Sequence, residues 1–468
     1  MREILDRQRA AFMAELPVSI DTRRDRLRRA TALVKDNAAR FCDALSEDFG
    51  HRSPRQSMIT DVVASVSPLK HAGKMVARWA RREKKPVMFP LGLLGARAWV
   101  EYQPKGVVGI IAPWNFPVNL VMSPLAGVFA AGNRAMIKTS EFTPATAALF
   151  EELCPRYFDP AELAFVSGGP DVGQAFSALP FDHLLFTGAT GIGRHILHAA
   201  ADNLTPVTLE LGGKSPAILG RSANLAQATE RVAMGKMLNA GQICIAPDYL
   251  MVAAEQEAEA VDGLVRAATA MYPSLLSNPD YTAIINDRHF ARLTAAIDDA
   301  RAKGAEVIAV NPANEDFAAS NARKLPLHII RNATDDMTVM QEEIFGPVLP
   351  VRKYDSIDGA IGEVNRRDRP LALYYFGSDE DERRRVLDRT ISGGVSLDDT
   401  IFHVSMEELP FGGIGPSGMG AYHGEPGFRT FSHAKSVFKQ SKLDVAGLGG
   451  LKPPYGRKTD AAIKRQLG

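Results

Sequence analysis

The sequence predicts an α/β protein with at least two domains, on three observations. The chain has 468 residues, more than one hydrophobic core usually supports. From residue 98 onward, short apolar strands alternate with helical segments, the pattern of parallel sheets covered by helices on both faces. The alternation restarts after LGGKSP (211–216). We therefore expect a doubly wound, nucleotide-type domain to about residue 211 and a second α/β domain to about residue 412.

The composition is that of an ordinary soluble globular protein, with 46% hydrophobic and 23% charged residues. Lys and Arg number 55 against 54 Asp and Glu, a net charge of +1, which argues against nucleic acid or a membrane surface as a charge-driven partner. Three cysteines without a CxxC pair fit a reducing, cytoplasmic setting. His195 and His198 lack a third ligand, so we expect no metal site.

No targeting or membrane-spanning segment is expected. Residues 1–16 lack an apolar signal core and contain acidic residues. The longest uncharged stretch, 106–133, is long enough to span a bilayer, but Pro113, Pro117 and Pro124 interrupt it. We therefore interpret this stretch as a buried strand, a loop and a helix.

The elements follow from the patterns of apolar residues. Residues 1–85 are predicted to be helical, and their charge runs are interpreted as solvated helix faces, with a basic binding patch as the minor alternative. Strands are predicted at AWVEYQ (98–103), VVGII (107–111), RAMIK (134–138), ELAFVSG (162–168) and HLLF (183–186). Later strands are predicted at AILG (217–220), YLMVAA (249–254), AEVIAV (305–310), LPLHII (325–330), VLPVRKY (348–354) and KSVFKQ (435–440).

The turn within HLLFTGATGIGRHILHA has the context of a phosphate-binding loop. A predicted strand enters it, Gly188, Gly191 and Gly193 permit close backbone approach, and a helix N-terminus follows. The turn is not a GxGxxG, which weakens the inference of a dinucleotide site. The GxGxxG match at 413–418 has no strand before it and no apolar helix after it, so we interpret it as a coincidence of spacing.

A second candidate, KTSE (138–141), follows the predicted strand RAMIK. It therefore lies at the carboxyl end of a strand, where open α/β sheets bind ligands. Lys138 and Glu141 could hold the hydroxyl groups of a ribose. An ion pair in an exposed loop is an equally good interpretation of these two residues.

Cys244, in the central segment GQICIAPDY (241–249), is a candidate nucleophile. A loop cysteine can attack an electrophile as the thiolate. Taken alone, a small buried apolar residue is the commoner role. The predicted helix 225–239 ends before the cysteine, so its negative dipole end would not favour the thiolate. We expect any lowering of the thiol pKa to come from a bound cofactor and nearby amides.

Seven motifs in register resemble the NAD(P)-dependent aldehyde dehydrogenase superfamily, and the resemblance covers nearly the whole chain. The motifs are PWNFP (113–117), KTSE (138–141), FTGATGIG (186–193), LELGGKSP (209–216), GQICIAPDY (241–249), EEIFGPV (342–348) and PFGGIGPSG (410–418). Finer features, including the ending GMGAYHGEPGFRTFSHAKSV with PPYG, are similar to the coniferyl aldehyde dehydrogenase and class 3 branch.

The resemblance implies a role for each matching residue. The nucleophile would be Cys244, the general base Glu210, and the oxyanion donor the side-chain amide of Asn115. The cofactor, NAD with NADP possible, would be held by Trp114, Lys138, Glu141, Gly188, Ala189, Thr190, Gly191, Ile192, Gly193, Leu211, Glu343 and Phe345. A salt-bridged strand end for Glu210 and a loop cap for Asn115 are the structural alternatives.

The resemblance also implies an architecture. A Rossmann-like cofactor-binding domain would comprise 1–91 and 107–212 with a returning segment 413–426, and the catalytic domain would comprise 213–412. A small β oligomerisation arm would comprise 92–106 and 427–441, followed by the tail 442–468. The family relation implies a homodimer or homotetramer. At Thr139, Ala189 and Asp398 the chain differs from the residues that are usual in the family. These differences bear on cofactor affinity and substrate fit rather than on the chemistry.

The expected reaction is oxidation of an aldehyde to the free carboxylic acid. A Cys244 thioester would be hydrolysed with Glu210 as base, which disfavours acyl transfer to coenzyme A. Apolar residues near the thiol predict an aromatic or long apolar aldehyde such as coniferaldehyde: Phe116, Leu120, Met122, Ile243 and Ile245. The alternatives are a medium- or long-chain aliphatic aldehyde, a non-redox cysteine esterase and a catalytically silent binding protein.

Overall fold

The structure is a computed structural model that describes residues 1–89 and 91–468; residue 90, within the predicted segment 1–91, lies outside the described residues. The first part of the chain forms these elements in order: α1 Arg2–Glu15, α2 Ile20–Lys35, α3 Ala38–Phe49, α4 Pro54–Ser57, a π-helix Met58–Val63, α5 Ala64–Trp79, β1 Glu83–Lys85, β2 Arg97–Pro104, β3 Val107–Ile111, α6 Asn119–Ala131, β4 Arg134–Lys138, α7 Pro144–Leu153, β5 Leu163–Val166, α8 Pro170–Ser177, β6 His183–Thr187, α9 Thr190–Ala201 and β7 Val207–Glu210.

The second part continues with β8 Pro216–Leu219, α10 Leu225–Met237, β9 Tyr249–Ala253, α11 Glu257–Met271, α12 Asp287–Ala302, β10 Glu306–Val310, β11 Leu327–Arg331, α13 Thr338–Gln341, β12 Val348–Tyr354, α14 Ile357–Arg366, β13 Ala372–Phe376, α15 Glu380–Arg389, β14 Gly394–Leu397, β15 Gly418–Met419, α16 Gly424–Thr430, β16 Ser432–Lys439, α17 Val445–Leu448 and α18 Arg457–Leu467. Short 3₁₀ turns lie at Cys154–Arg156, Leu238–Gly241, Ala254–Gln256 and Phe402–Ser405.

Three sheets organise these strands. A six-stranded sheet has the order β15-β7-β6-β3-β4-β5, a seven-stranded sheet the order β10-β11-β12-β9-β8-β13-β14, and a three-stranded sheet the order β1-β2-β16. The two large sheets are parallel except at one edge each, where β15 runs antiparallel to β7 and β10 antiparallel to β11. The predicted α/β class with two large sheets is confirmed, and the sheets are mixed rather than purely parallel.

The prediction that residues 1–85 are helical is wrong at its end. Helix α5 stops at Trp79, and β1 pairs antiparallel with β2 from Glu83↔Val100 to Lys85↔Ala98. The charged residues of β1 suit an edge strand, because their side chains can remain in water. A basic run therefore joins the three-stranded sheet instead of extending a helix.

Stretch 106–133 is a buried strand, a loop and a helix, as the sequence predicted. All five residues of β3 are buried, and so is α6 from Leu120 to Ala131. Within the described parts of the chain, none of the helices combines the length and the apolar character needed to cross a bilayer. The apolar character of 106–133 belongs to the protein core.

The arrangement directs several strand ends toward one region. Strands β3, β4, β6 and β7 are adjacent and parallel, so their carboxyl ends share one edge of the six-stranded sheet. This edge is where open α/β sheets bind ligands. Segments before β9 and before β12, from the seven-stranded sheet, complete the cavities described next.

Candidate active site

Two cavities meet at Cys244 and Leu120, which line both. The larger, of about 500 Å³, is the cleft cavity, lined by Pro113, Trp114, Asn115, Leu120, Thr187, Gly188, Ala189, Thr190, Gly191, Glu210, Leu211, Gly212, Cys244, His289, Arg292, Glu342, Glu343 and Phe345. The smaller, of about 240 Å³, is the apolar cavity. A thiol at the junction of two cavities can contact a different ligand from each side.

The loop that carries Cys244 is held by its backbone conformation and by Gln242. After α10, Asn239, Ala240 and Gly241 have φ values of 51°, 50° and 74°, in the left-handed region. A side chain at Gly241 would overlap the carbonyl of Gly346, so the close approach requires glycine. The buried Gln242 amide donates to the Asn239 carbonyl and accepts the Ile285 N–H at 3.0 Å each. The backbone conformation of 239–241 and the hydrogen bonds of Gln242 thus fix residues 239–245, which we call the nucleophile loop.

The pKa of the Cys244 thiol is raised in this environment. Burial is the main cause, and the nearby carboxyl groups of Glu343 and Glu210 add to it. The N–H groups of Cys244 and Ile245 act in the opposite direction, as expected from the sequence, but burial outweighs them. Helix α10 ends before the cysteine and directs no positive dipole end at it.

Glu210 is the last residue of β7 and faces the cleft cavity beside the thiol. It is buried, and neither of its carboxyl oxygens has a hydrogen-bond partner among the described residues. Burial raises its pKa well above the usual value for glutamate. The alternative of a salt-bridged strand end is therefore wrong, and a carboxylate with a raised pKa binds a proton more strongly, which favours general base catalysis.

Asn115 is buried and lines the cleft cavity. Its side-chain Nδ2 donates to the Gln242 carbonyl at 3.2 Å, which orients the amide toward the nucleophile loop. The amide does serve this loop, so the structural alternative is partly correct. An amide nitrogen carries two hydrogens, and the second remains for a ligand at Cys244.

The loop between β6 and α9 has the strand–loop–helix arrangement that the sequence predicted. Four of the six predicted residues, Gly188 to Gly191, line the cleft cavity. The N-cap residue Ala189 provides no side-chain capping bond, so the first N–H groups of α9 remain for a ligand. A methyl group on Gly191 would meet no atom within 4 Å.

The remaining two residues of this loop do not line the cavity. Ile192 is 52% exposed. A Cβ at Gly193 would lie 2.8 Å from Leu211, so this glycine permits α9 to pack against the segment after β7. Leu211 itself lines the cleft cavity, as predicted.

Glu343, Phe345 and Trp114 all line the cleft cavity. The Phe345 ring lies edge-on to Trp114 with centroids 5.3 Å apart. Asp248 fixes their loop: it pairs with Lys214 and accepts the Ile344 N–H at 2.9 Å. Burial, together with the charge of Asp248, raises the pKa of Glu343 to about 8.

Lys138 and Glu141 form an ion pair with Nζ and Oε2 2.9 Å apart. Lys138 is buried at the end of β4, whereas Glu141 is partly exposed. Neither residue lines the cleft cavity. The pair lies at the sheet edge where it was predicted, and β3 separates its strand from β6, which precedes the glycine loop.

The apolar cavity contains four of the five predicted apolar residues, Phe116, Leu120, Ile243 and Ile245. The prediction for Met122 is wrong, because this residue is buried in the core and lines neither cavity. Sequence reasoning missed most of its wall: Ile59, Thr60, Ala64, Asn119, Met234, Leu238, Ile401, Phe402, Val404, Ser405, Phe411, Tyr422 and His423. It also missed His289 and Arg292 in the cleft cavity. These residues come from segments far apart in the chain, and no spacing pattern marks them.

The side chains fit a dinucleotide better than a metal ion. The cleft cavity offers free helix N–H groups for phosphate and a carboxyl group at Glu343 for a ribose hydroxyl. Nowhere in the part of the chain that the structure describes do three or more His, Cys, Asp or Glu side chains come together as metal ligands would.

The chain is similar to known proteins in sequence and in fold. Residues 1–437 match the aldehyde dehydrogenase family. The chain is 56% identical to a probable coniferyl aldehyde dehydrogenase of Caulobacter vibrioides, over 97% of this chain and 94% of that one. It is 53% identical to the coniferyl aldehyde dehydrogenase of a Pseudomonas species, over 97% and 93%. The substrate-bound structure of Staphylococcus aureus AldH superposes with a TM-score of 0.92 at 35% identity, covering 100% of this chain and 99% of that one.

Proposed function

The chain belongs to the aldehyde dehydrogenase family, and on this premise we propose that Cys244, Glu210 and Asn115 oxidise an aromatic aldehyde. The general reaction is NAD(P)-dependent oxidation of an aldehyde. The observation that supports the proposed roles most directly is the junction of the two cavities at Cys244. The aldehyde would enter from the apolar cavity and the dinucleotide from the cleft cavity.

In the proposed mechanism, the Cys244 thiol gives up its proton to solvent, and the thiolate adds to the aldehyde carbon to form a tetrahedral thiohemiacetal. The free N–H of the Asn115 amide and the Cys244 backbone N–H donate to the developing oxyanion. Held by the first turn of α9 and by Glu343, NAD(P) would supply the hydride acceptor for this carbon. The product at Cys244 is a thioester, and Glu210 removes a proton from the water that hydrolyses it to the carboxylic acid.

We propose that different residues bind the different chemical groups of the dinucleotide. The first turn of α9, from Ala189 to Gly191, would bind the pyrophosphate, and Glu343 the nicotinamide ribose. Lys138 and Glu141 would hold the adenosine ribose from the end of β4, on the far side of β3. A carboxylate at Glu141 disfavours a 2′-phosphate, so we propose a preference for NAD over NADP.

The apolar cavity supports an aromatic substrate. Its volume of about 240 Å³ exceeds the roughly 150 Å³ of a cavity that holds benzene, so a substituted ring fits. Aromatic side chains of Phe116, Phe402, Phe411 and Tyr422 line it, with polar groups at Thr60, Asn119, Ser405 and His423. The two relatives described above are named for coniferyl aldehyde, and we propose an aldehyde of this class.

A substrate panel tests the proposal. Initial rates of NAD(P)H formation are measured with coniferaldehyde, benzaldehyde, propanal and decanal, each with NAD and with NADP. We expect kcat/KM for coniferaldehyde to exceed that for propanal by at least about tenfold, because the larger ring buries more apolar surface. A preference for decanal would support the aliphatic alternative. Ester hydrolysis that Glu343→Ala leaves unchanged, without dinucleotide binding, would support the cysteine esterase.

The three sheets support the proposed division into domains. The cofactor-binding domain would be 1–91, 107–212 and 413–426, the catalytic domain 213–412, and the arm 92–106 with 427–441. Strand β1 pairs with the arm although it lies within 1–91.

The family is oligomeric, and we propose a homodimer or homotetramer assembled through the arm. Three unpaired cysteines support a cytoplasmic location.

A further inference from the structure

A buried ion pair between Arg52 and Asp61 lies next to the candidate site. Arg52 Nη2 is 2.9 Å from Asp61 Oδ2, and both side chains have no exposed surface. Removing two charges from water carries a large desolvation cost, and a well-packed apolar pair is often as stable. Stability alone therefore does not account for the pair, and its neighbours indicate what it holds.

The arginine side of the pair supports the loop that carries Asn115. Arg52 Nη1 donates to the Asn115 carbonyl at 3.3 Å, and Nη2 donates to Thr60 Oγ1 at 3.1 Å. The guanidinium also lies over the rings of Phe49 and Phe116, 4.8 and 5.1 Å from their centroids. A planar group with several fixed donors can satisfy these partners together, whereas a lysine ammonium cannot reach all of them.

The aspartate side holds the start of α6. Asp61 Oδ1 accepts the N–H groups of Val118 and Asn119 at 3.1 and 3.3 Å. Helix α6 has no side-chain cap from its own N-cap residue, so Asp61 supplies one from another segment. Asp61 lies in the π-helix 58–63, a rare conformation that is often found at functional sites.

Helix α4, directly before the π-helix, also binds the nucleophile loop. Gln56 accepts the Asn239 N–H at 3.2 Å and donates to its side-chain oxygen at 3.3 Å. Asn239 Nδ2 in turn donates to the Asn115 carbonyl at 3.2 Å. The Asn115 carbonyl therefore receives one bond from Arg52 and one from the loop that precedes Cys244.

We propose that Arg52 and Asp61 are positioning residues that fix the Asn115 amide relative to Cys244. The pair secures both ends of residues 115–119, and Asn239 ties the same carbonyl to the nucleophile loop. The inference rests on the proposed oxyanion role of Asn115. It adds two residues that touch neither substrate nor cofactor and that act through the geometry of the oxyanion site.

A double-mutant cycle tests the pair. kcat for aldehyde oxidation is measured for the wild type, Arg52→Lys, Asn115→Ala and the double variant, with NAD affinity determined by fluorescence titration. Asn115→Ala is expected to lower kcat by about 10²- to 10³-fold. Arg52→Lys alone should lower kcat about tenfold, leave NAD affinity unchanged, and have less than about a twofold effect in the Asn115→Ala background, because residues that act as a unit are non-additive.

Arg26→Lys is the matched control. Arg26 has no exposed surface and pairs with Glu15 and Glu162 at 2.7 and 3.0 Å, among the N-terminal helices. Arg26→Lys should lower Tm about as much as Arg52→Lys does, without changing kcat. If Arg52→Lys does not fold, the isosteric Asp61→Asn replaces it in the cycle.

The outcomes separate this inference from the proposed function. Wild-type kcat in Arg52→Lys, or an equal loss in both backgrounds, overturns the positioning role. A wild-type rate in Asn115→Ala instead overturns the proposed oxyanion donor and this inference with it.

Discussion

Glu210 combines a stability cost with a catalytic advantage. A buried carboxyl group without a hydrogen-bond partner is destabilising, because burial removes its hydration and nothing replaces it. Its raised pKa means that the carboxylate binds a proton more strongly than an exposed glutamate does, which favours general base catalysis. Active sites commonly retain such groups at the expense of stability. Asn115 is a milder case, because one N–H of its buried amide donates to the Gln242 carbonyl and the other is left for a ligand.

We predict that Glu210→Gln separates acylation from hydrolysis. The amide cannot accept a proton from water, so the thioester should accumulate at Cys244. Rapid-mixing measurements should record about one equivalent of NAD(P)H per active site, followed by a steady-state rate lowered about 10²- to 10⁴-fold. The wild-type rate should fall at acidic pH as Glu210 becomes protonated, and this acidic limb should disappear in the variant. A variant with neither burst nor turnover would contradict the assigned role.

The same variant has a predicted pH-dependent stability. In the folded protein burial holds the pKa of Glu210 well above its usual value of 4.5. As pH rises above that value, the unfolded chain loses the proton that the folded chain keeps, so the wild type loses stability. The free energy of unfolding of Glu210→Gln should therefore exceed that of the wild type by an amount that grows with pH. Urea unfolding at several pH values measures this difference, and the exposed Glu259→Gln should not reproduce it.

At the scale of elements, the sequence predicted what local apolar patterns encode. Buried runs such as VVGII and RAMIK became β3 and β4, and the turn after β6 has the strand–loop–helix context that was expected. Strand β13, Ala372–Phe376, was overlooked although it is a short, buried run between Pro370 and Gly377. Strand β1 had no apolar signal, because only its pairing with β2 makes it a strand.

The site was predictable only where contiguous motifs carry it. Cys244, Glu210, Asn115 and the glycine loop stand in such motifs. The wall of the apolar cavity is assembled from the π-helix, α10 and residues 401–423, and which of those side chains point inward depends on tertiary packing. The Arg52–Asp61 pair was hidden for the same reason, since two charged residues nine positions apart read as surface in the sequence.

Gly212 provides a prediction for the segment between β7 and β8. A Cβ at this position would overlap the Glu343 carboxylate, and the neighbouring Gly213 N–H donates to that carboxylate. Gly212→Ala should displace Glu343 and weaken NAD binding about tenfold, the loss of one hydrogen bond to a charged group. Fluorescence titration of NAD measures the change. Gly362→Ala on α14, where a Cβ meets no atom within 4 Å, is the control and should bind NAD normally. Unchanged affinity in Gly212→Ala would contradict the placement of Glu343.

At the scale of the whole molecule, the three-stranded sheet ends in an edge strand, β16, that could pair with a second chain. Strand β16 pairs with β2 along one edge only, from Ser432↔Pro104 to Lys439↔Arg97, so its other edge has no strand partner among the described residues. Phe438 on this strand is 53% exposed. A long free strand edge with an exposed aromatic residue is a typical site for association between chains.

Phe438→Glu should therefore convert the oligomer to a lower-mass species. A charge on the free edge opposes both apolar burial and strand pairing with a second chain. Light scattering coupled to size exclusion measures the mass, and circular dichroism checks that the fold remains. Met13→Glu, which places the same charge on a residue of α1 that is 66% exposed, should leave the mass unchanged. If Phe438→Glu keeps the wild-type mass, the arm does not assemble through this strand, because a buried glutamate at the interface would not be tolerated.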